Sequence, residues 1–233
     1  MPEITFKRRT AHSDGKVYFS YAQIHEAICS LVPQIRTFEP AIMIAIGGGG
    51  YIPARILRTE LNIPLLTVSV ELYNDATCTR RDQVKKIQWF DTTFGTRNEV
   101  YGKRILIVDE VDDSRTTFKY VVDEVVKTIQ PSAVAVAVVH NKLKPKNAEL
   151  PEDVLYLAGE NVEDYWNCYP WDAGQYGHNI WQHEELAMKC AGEKDDKDTT
   201  IVGGLTKHKA PLYLILVSFI AGLAVASMPR KFR

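Results

Sequence analysis

Four short, largely apolar runs constrain this chain most: Ala41–Ile46 (AIMIAI), Leu65–Val70 (LLTVSV), Arg104–Val108 (RILIV) and Ala133–Val139 (AVAVAVV). Runs of this kind predict strands buried on both faces. The segments between them carry helical periodicity. Ser20 and Gln23 form an S-x-x-Q capping box, and the helix it opens aligns Ile24, Ala27, Ile28, Leu31 and Ile35 on one face. A second helix begins near Pro53, a good first-turn residue. A third, Arg115–Ile129, has an apolar stripe of Phe118, Val121, Val122, Val125 and Ile129. Apolar strands separated by amphipathic helices imply an α/β fold, a twisted and mostly parallel sheet with helices on both faces. Lys16–Phe19 is short and β-like. Residues 71–102 are polar and less regular, with a short strand expected around Lys86–Phe90.

The chain has 233 residues, enough for one domain with appendages. At 45% hydrophobic and 24% charged it is neither disordered nor collagen-like nor a disulfide scaffold. The net charge of -1 gives no electrostatic case for nucleic acid, so no nucleic-acid partner is expected. That average hides an asymmetry. The first 206 residues hold 23 basic against 29 acidic side chains, while Lys207–Arg233 holds five basic residues and no acid. The four cysteines (Cys29, Cys78, Cys168 and Cys190) form no CxxC pair, which speaks against zinc-finger and thioredoxin chemistry and for reduced thiols. The opening segment lacks an apolar signal region, so a cytosolic body is expected.

Ala210–Met228 is an uncharged run of 19 residues, with Lys207 and Lys209 on one side and Arg230, Lys231 and Arg233 on the other. At ~1.5 Å per residue such a helix matches the hydrocarbon core of a bilayer. It reads as a transmembrane tail anchor with the body facing the cytosol; a buried core helix is the alternative. The domains are therefore drawn as 1–190, a polar linker at 191–209, the anchor at 210–228 and a basic tail at 229–233.

Two strand ends carry chemistry, and in open α/β sheets ligands bind beyond such ends. After Val108 come Asp109, Glu110, Val111, Asp112, Asp113, Ser114, Arg115, Thr116 and Thr117. Paired carboxylates suit ribose hydroxyls or a divalent cation. Hydroxyl residues at a helix start suit phosphate. The alternative is a junction whose acids merely favour the helix N-terminus. After Ile46 come Gly47, Gly48, Gly49 and Gly50. Glycines let backbone N–H groups converge on an anion, although a tight turn explains them equally. The run is neither G-x-G-x-x-G nor a Walker loop.

Together the two segments resemble the type I phosphoribosyltransferase family. Ile105–Thr117 is similar to its thirteen-residue signature, a hydrophobic strand, two acids, a hydrophobic residue and a D-[ST]-x-x-T phosphate loop. IAIGGGGYIPARIL resembles its pyrophosphate loop, in particular that of the fungal hypoxanthine-guanine enzymes, and GGYIPA resembles the bacterial xanthine-guanine enzymes. The resemblance covers about residues 18–190. It implies transfer of ribose 5-phosphate from phosphoribosyl pyrophosphate to a purine, with magnesium. Carried over, Asp109 and Glu110 meet the ribose hydroxyls and Glu110 also approaches magnesium. Asp113 is the catalytic base or proton acceptor for purine N7. Ser114, Arg115, Thr116 and Thr117 surround the 5′-phosphate, and Gly48 and Gly49 donate N–H groups to pyrophosphate. Most family loops have glycine where Arg115 stands, so Arg115 either adds a cationic contact or points away. Relatives often carry Lys or Arg where Gly48 falls.

Lys142–Pro145 resembles the family's K-x-x-P element, whose lysine donates to the purine 6-oxo group. Trp166–Asp172 (WNCYPWD) is similar to the W-x-x-x-P-W-[DE] segment of xanthine-guanine enzymes. Trp166 is expected to stack on the base, Asp172 to accept from a 2-amino group and Trp171 to remain core. A solvated lysine and a small-domain core are the bland alternatives for Lys142 and Trp166. A hood is expected from about 140–175. The basic stretch with Arg80, Arg81, Lys85 and Lys86 is either the family's lid or a solvated loop. The expected whole is a tail-anchored, dimeric oxopurine phosphoribosyltransferase. A xanthine-preferring enzyme and a membrane-tethered nucleotide sensor without turnover are its rivals.

Overall fold

The computed structural model describes residues 9–74, 79–90 and 100–191. Its frame is a six-stranded sheet with strands β2 (Ile42–Gly47), β3 (Leu65–Asn74), β4 (Thr79–Gln88), β5 (Arg104–Asp112), β6 (Ala133–Lys142) and β7 (Leu155–Val162) in the order β4-β3-β2-β5-β6-β7. All neighbours are parallel except the β3–β4 pair at one edge.

Strict alternation along the central strands divides the core. Met43, Ala45, Leu106, Val108, Ala135 and Ala137 face helices α1 (Tyr21–Cys29), α2 (Val32–Phe38) and α3 (Tyr51–Leu61). Ile44, Ile46, Ile105, Ile107, Val136 and Val138 face α4 (Thr116–Ile129). Side chains two residues apart point the same way, so one apolar run serves both layers. This is the α/β arrangement expected from the sequence. The apolar stripe of α4 is buried throughout.

Several boundaries differ from expectation, each for a physical reason. The first helix is two helices, α1 and α2, because Pro33 cannot supply an N–H to the preceding turn. Its stripe is nevertheless continuous: Ile24, Ile28, Leu31 and Ile35 share one core. The Ser20–Gln23 capping box forms, with both reciprocal bonds present. Helix α3 starts at Tyr51, two residues before Pro53. The short strand expected near 86–90 is the end of β4, an edge strand whose outer side needs no apolar residues. Lys86 on it pairs with Glu124 of α4 and lies 4.6 Å from the centre of the Trp89 ring. Strand β5 continues past Val108 to Asp112, because its partner β6 keeps pairing: Asp109 opposite Val138, Val111 opposite His140, Asp112 opposite Asn141.

The segment 140–175 divides. Strand β7 joins the main sheet beside β6. Strand β8 (Trp166–Cys168) pairs in parallel with β1 (Lys16–Tyr18) and is followed by a 3-10 helix, Pro170–Tyr176. With α5 (Ile180–Cys190) these make the hood. Cys29, Cys168 and Cys190 are free thiols. No helix among the described residues is long and apolar enough to cross a membrane. Arg80 and Arg81 belong to β4. The 210–228 run and its flanks lie outside the described residues.

Candidate active site

The carboxyl ends of β5 and β6, the loop leading to α4 and the hood enclose a cavity of about 440 Å³. Asp109, Glu110, Asp113, Ser114, Arg115 and Thr117 line it. So do Lys142, from the last position of β6, and Trp166 and Asp172, from the hood. Residues separated by more than fifty positions thus meet in one space.

Gly48, Gly49 and Thr116 do not line this cavity, but Gly49 and Thr116 stand next to residues that do. The Thr116 hydroxyl accepts a hydrogen bond from Ser114 Oγ at 3.1 Å. A Cβ on Gly49 would lie 1.8 Å from the Glu110 carboxyl carbon, so the glycine loop rests directly against that carboxylate. At Gly50 a Cβ would meet the Ile46 and Val108 carbonyl oxygens at 2.5 and 2.6 Å, so only glycine lets the end of β2 pass this close to β5. At Gly48 it would meet nothing within 4 Å, and a side chain is sterically free there. The Gly47–Gly48 peptide is cis.

The four acids of the β5 end have four different environments. Asp109 is buried, and its Oδ1 accepts the Glu110 N–H at 2.9 Å. Burial, reinforced by the charge of Glu110, holds its carboxyl well above the ordinary range. Glu110 is half-buried against the glycine loop. Asp112 is fully buried and turns away from the acids toward α4. Its Oδ2 accepts from Arg115 Nη2 at 2.7 Å, Arg115 Nε at 3.0 Å and the Tyr156 hydroxyl at 2.8 Å. Asp113 faces the cations. Lys144 Nζ donates to its Oδ1 at 2.9 Å, and Lys142 Nζ lies at 3.3 Å. Burial pushes the Asp113 carboxyl up, but the two lysines outweigh it and leave it below its ordinary value.

Arg115 is the loop residue with a positive φ, 64°. Glycine adopts that conformation freely, whereas an L side chain has to be held in it. Two Arg115 N–H groups donating to the same Asp112 oxygen, Oδ2, hold it, and the guanidinium lies 4.6 Å from the centre of the Tyr156 ring. Arg115 therefore stands in the cavity wall with its charge directed at Asp112.

In the hood, Trp166 is 64% exposed, and its indole N–H donates to the Tyr176 hydroxyl at 3.2 Å. Trp171 packs against the core, face to face with Tyr169 at 4.8 Å. Asp172 is half-buried, and burial together with the charge of Glu110 raises its carboxyl. The sequence reading did not single out Tyr169, Lys144, Lys146 or Asp164. Tyr169 is buried in the cavity wall with its hydroxyl 3.4 Å from the Glu110 carbonyl oxygen and 2.8 Å from His140 Nδ1. Its place inside the W-x-x-x-P-W-[DE] segment was the available signal. Lys146 gathers the Asp112, Asp113 and Lys142 carbonyls at 2.6, 3.0 and 2.9 Å, tying the loop before α4 to the end of β6.

Among the described residues no group of three or more His, Cys, Asp or Glu side chains is arranged to hold a metal. Magnesium does not require such a cage, because it binds through one or two carboxylates plus substrate phosphates and waters. Glu110, half-buried and pressed against the glycine loop, with Asp109 beside it, fits that need.

A family model described as "Phosphoribosyl transferase domain" matches residues 20–172. The hypoxanthine-guanine phosphoribosyltransferase of Schizosaccharomyces pombe is 40% identical, with 77% of this chain and 98% of that protein covered. Xanthine phosphoribosyltransferase 1 of Saccharomyces cerevisiae is 39% identical, with 74% and 95% covered. Among solved structures, a hypothetical protein from Neisseria gonorrhoeae with bound ppGpp is 41% identical, with a TM-score of 0.65 over 76% of this chain and 98% of that one. The matched span runs from the capping box of α1 to Asp172 and so takes in the glycine loop, the acids of β5, the Ser114–Thr117 loop and the hood tryptophans. The chain belongs to the phosphoribosyl transferase domain family.

Proposed function

We propose that this protein transfers ribose 5-phosphate from phosphoribosyl pyrophosphate to an oxopurine, releasing pyrophosphate, as a purine-salvage transferase. The observation that carries this reading is Lys142 beside Asp113, 3.3 Å apart, above the Ser114–Thr117 loop in one cavity. A donor for a 6-oxo group and an acceptor for a ring proton are thus within the span of one purine. A binder without turnover has no need of that acceptor, which argues against the sensor reading.

In this scheme the Ser114–Thr117 loop and the first turn of α4 hold the 5′-phosphate. Asp109 and Glu110 orient the ribose hydroxyls. Glu110, with Asp109 beside it, would hold magnesium, which when bound would supply charge compensation for the leaving pyrophosphate. The glycine loop adds backbone N–H groups aimed at the same developing charge. Asp113 Oδ accepts the N7 proton as the purine nitrogen bonds to the sugar. Trp166 stacks on the base, and Asp172 accepts from a 2-amino group. The Neisseria protein, whose structure holds a guanine nucleotide bearing pyrophosphate groups, supports a guanine-type base. The two yeast proteins divide between hypoxanthine-guanine and xanthine, and all three bases share the 6-oxo group.

Substrate assays test this directly. With phosphoribosyl pyrophosphate and magnesium, guanine, hypoxanthine or xanthine turns over and adenine does not. Lys142→Met leaves the 6-oxo group without its donor and weakens oxopurine recognition by about 1–3 kcal/mol. Adenine reacting as fast as guanine sinks the pocket assignment.

We also propose that residues 210–228 anchor the chain in a membrane. The run has no charge to bury, and each Leu, Ile, Val or Phe near a bilayer centre favours insertion by roughly 0.3–0.6 kcal/mol. The proposed catalytic and base-binding residues all precede position 173, so deleting 207–233 is expected to release a soluble, active body. Carbonate washing of membranes from cells making each form distinguishes the outcomes. A full chain that washes off refutes the anchor, and a folded but inactive truncation refutes its independence from catalysis. Sedimentation of the truncated body reads the expected homodimer.

A further inference from the structure

Asp113 does not face Lys142 alone. Lys144, from the loop after β6, donates to Asp113 Oδ1 at 2.9 Å and to Asp164 Oδ1, from the loop between β7 and β8, at 3.0 Å. Lys142 Nζ lies 3.3 Å from Asp113 Oδ1 and 3.6 Å from Asp164 Oδ1. Two ammonium groups and two carboxylates therefore form a closed cluster, of which Asp113 and Lys142 line the cavity. An oxopurine bound as proposed engages two of the four, Lys142 at the 6-oxo group and Asp113 at N7. Lys144 then remains the nearest cation to Asp113.

We propose that Lys144 and Asp164 are an opposed pair of positioning residues that set the basicity of Asp113. Lys144 keeps the carboxylate ionised and oriented toward N7. Asp164 shares that ammonium and so prevents two lysines from making Asp113 too weak a base for proton transfer. The inference rests on Asp113 being the proton acceptor. Its electrostatic sense agrees with the surroundings: Asp113 is lowered against the pull of burial by Lys144 and Lys142, and Lys144 is raised by Asp113 and Asp164. The other charges near Asp113 have other partners or line the same cavity. Asp112 is bound by Arg115, and Lys146 reaches the Asp113 carbonyl rather than its carboxylate. Glu110 and Asp172 line the cavity from β5 and the hood.

The test is the pH profile of kcat/KM for the purine, measured on the full chain. In Lys144→Met the acid limb of the profile moves up by about one pH unit, the lower end of what one opposite charge within 6 Å does to a carboxyl. KM for phosphoribosyl pyrophosphate stays near its original value. Lys144→Gln gives the same shift and serves if the Met variant folds poorly. Adding Asp164→Asn to either variant brings the acid limb back toward its original position, because an anion beside Asp113 has been removed. Loosened structure would compound in the double variant, whereas opposed charges cancel. An unmoved profile in both single variants, or a larger shift in the double, overturns the inference. Asp113→Asn separates the two levels. If that variant keeps its turnover, the proton-acceptor reading fails and this inference with it. If it loses turnover while the other profiles stay unmoved, only the tuning role fails.

Discussion

Asp113→Asn is expected to lower turnover by ~10²–10⁴-fold, the usual contribution of a positioned acid–base group. The amide keeps the shape of the carboxylate, and its oxygen still accepts from Lys144, which reaches Asp113 Oδ1 at 2.9 Å. What it loses is the ability to take a proton from N7. The Ser114–Thr117 loop is tied down elsewhere, through the Asn147 N–H to the Ser114 carbonyl at 3.0 Å and through Lys146 to the Asp112 and Asp113 carbonyls. Binding of phosphoribosyl pyrophosphate is therefore expected to change far less than turnover. Steady-state kinetics with a parallel binding titration separates the two quantities. Turnover close to that of the unaltered protein would remove Asp113 from its role.

Asp112→Ala is expected to cost stability rather than chemistry, by about 3–5 kcal/mol, the usual result of removing one partner from a buried ion pair. The Asp112 side chain is fully buried, and those of Arg115 and Lys146 are only 21% and 13% exposed. Without the carboxylate, the guanidinium and the Tyr156 hydroxyl lose their shared acceptor, and Lys146 loses a counter-charge 3.6 Å away. Arg115 also loses the bond that holds it at φ 64°. The midpoint of urea unfolding should fall with little change in slope. A cost below about 1 kcal/mol, the value of an ordinary exposed pair, would mean that water replaces the carboxylate at that spot. Asp112 and Asp113 are adjacent, yet one substitution is read in a denaturation curve and the other in a rate.

That division of labour could not be read from the chain. Asp109, Glu110, Asp112 and Asp113 look alike in sequence, and the first two with Asp113 were assigned by resemblance to a motif. Asp112 becomes a structural anchor only because Tyr156, on β7, and Arg115 both donate to its Oδ2. Glu160 is similar: it sits buried on β7 because Arg9, 151 residues earlier, meets both its carboxylate oxygens at 3.0 Å. The strand's own pattern gave little sign that it belonged to the main sheet. Lys144 and Asp164 read as ordinary loop charges until the fold sets them beside Asp113.

What the chain determines by itself is what depends on neighbours a few residues apart. Uniformly apolar runs specify buried strands, and the 3.6-residue stripe of Phe118, Val121, Val122, Val125 and Ile129 specifies one face of α4. Ser20 and Gln23 specify a helix start, and the D-[ST]-x-x-T loop carries the hydroxyl groups proposed for phosphate within four consecutive positions. Where β5 and β6 end, which way Arg115 turns, and which lysine controls which carboxylate were decided only by tertiary structure. A strand continues as long as its neighbour offers a ladder, and a charge takes its character from its burial and from partners that the fold brings from elsewhere in the chain.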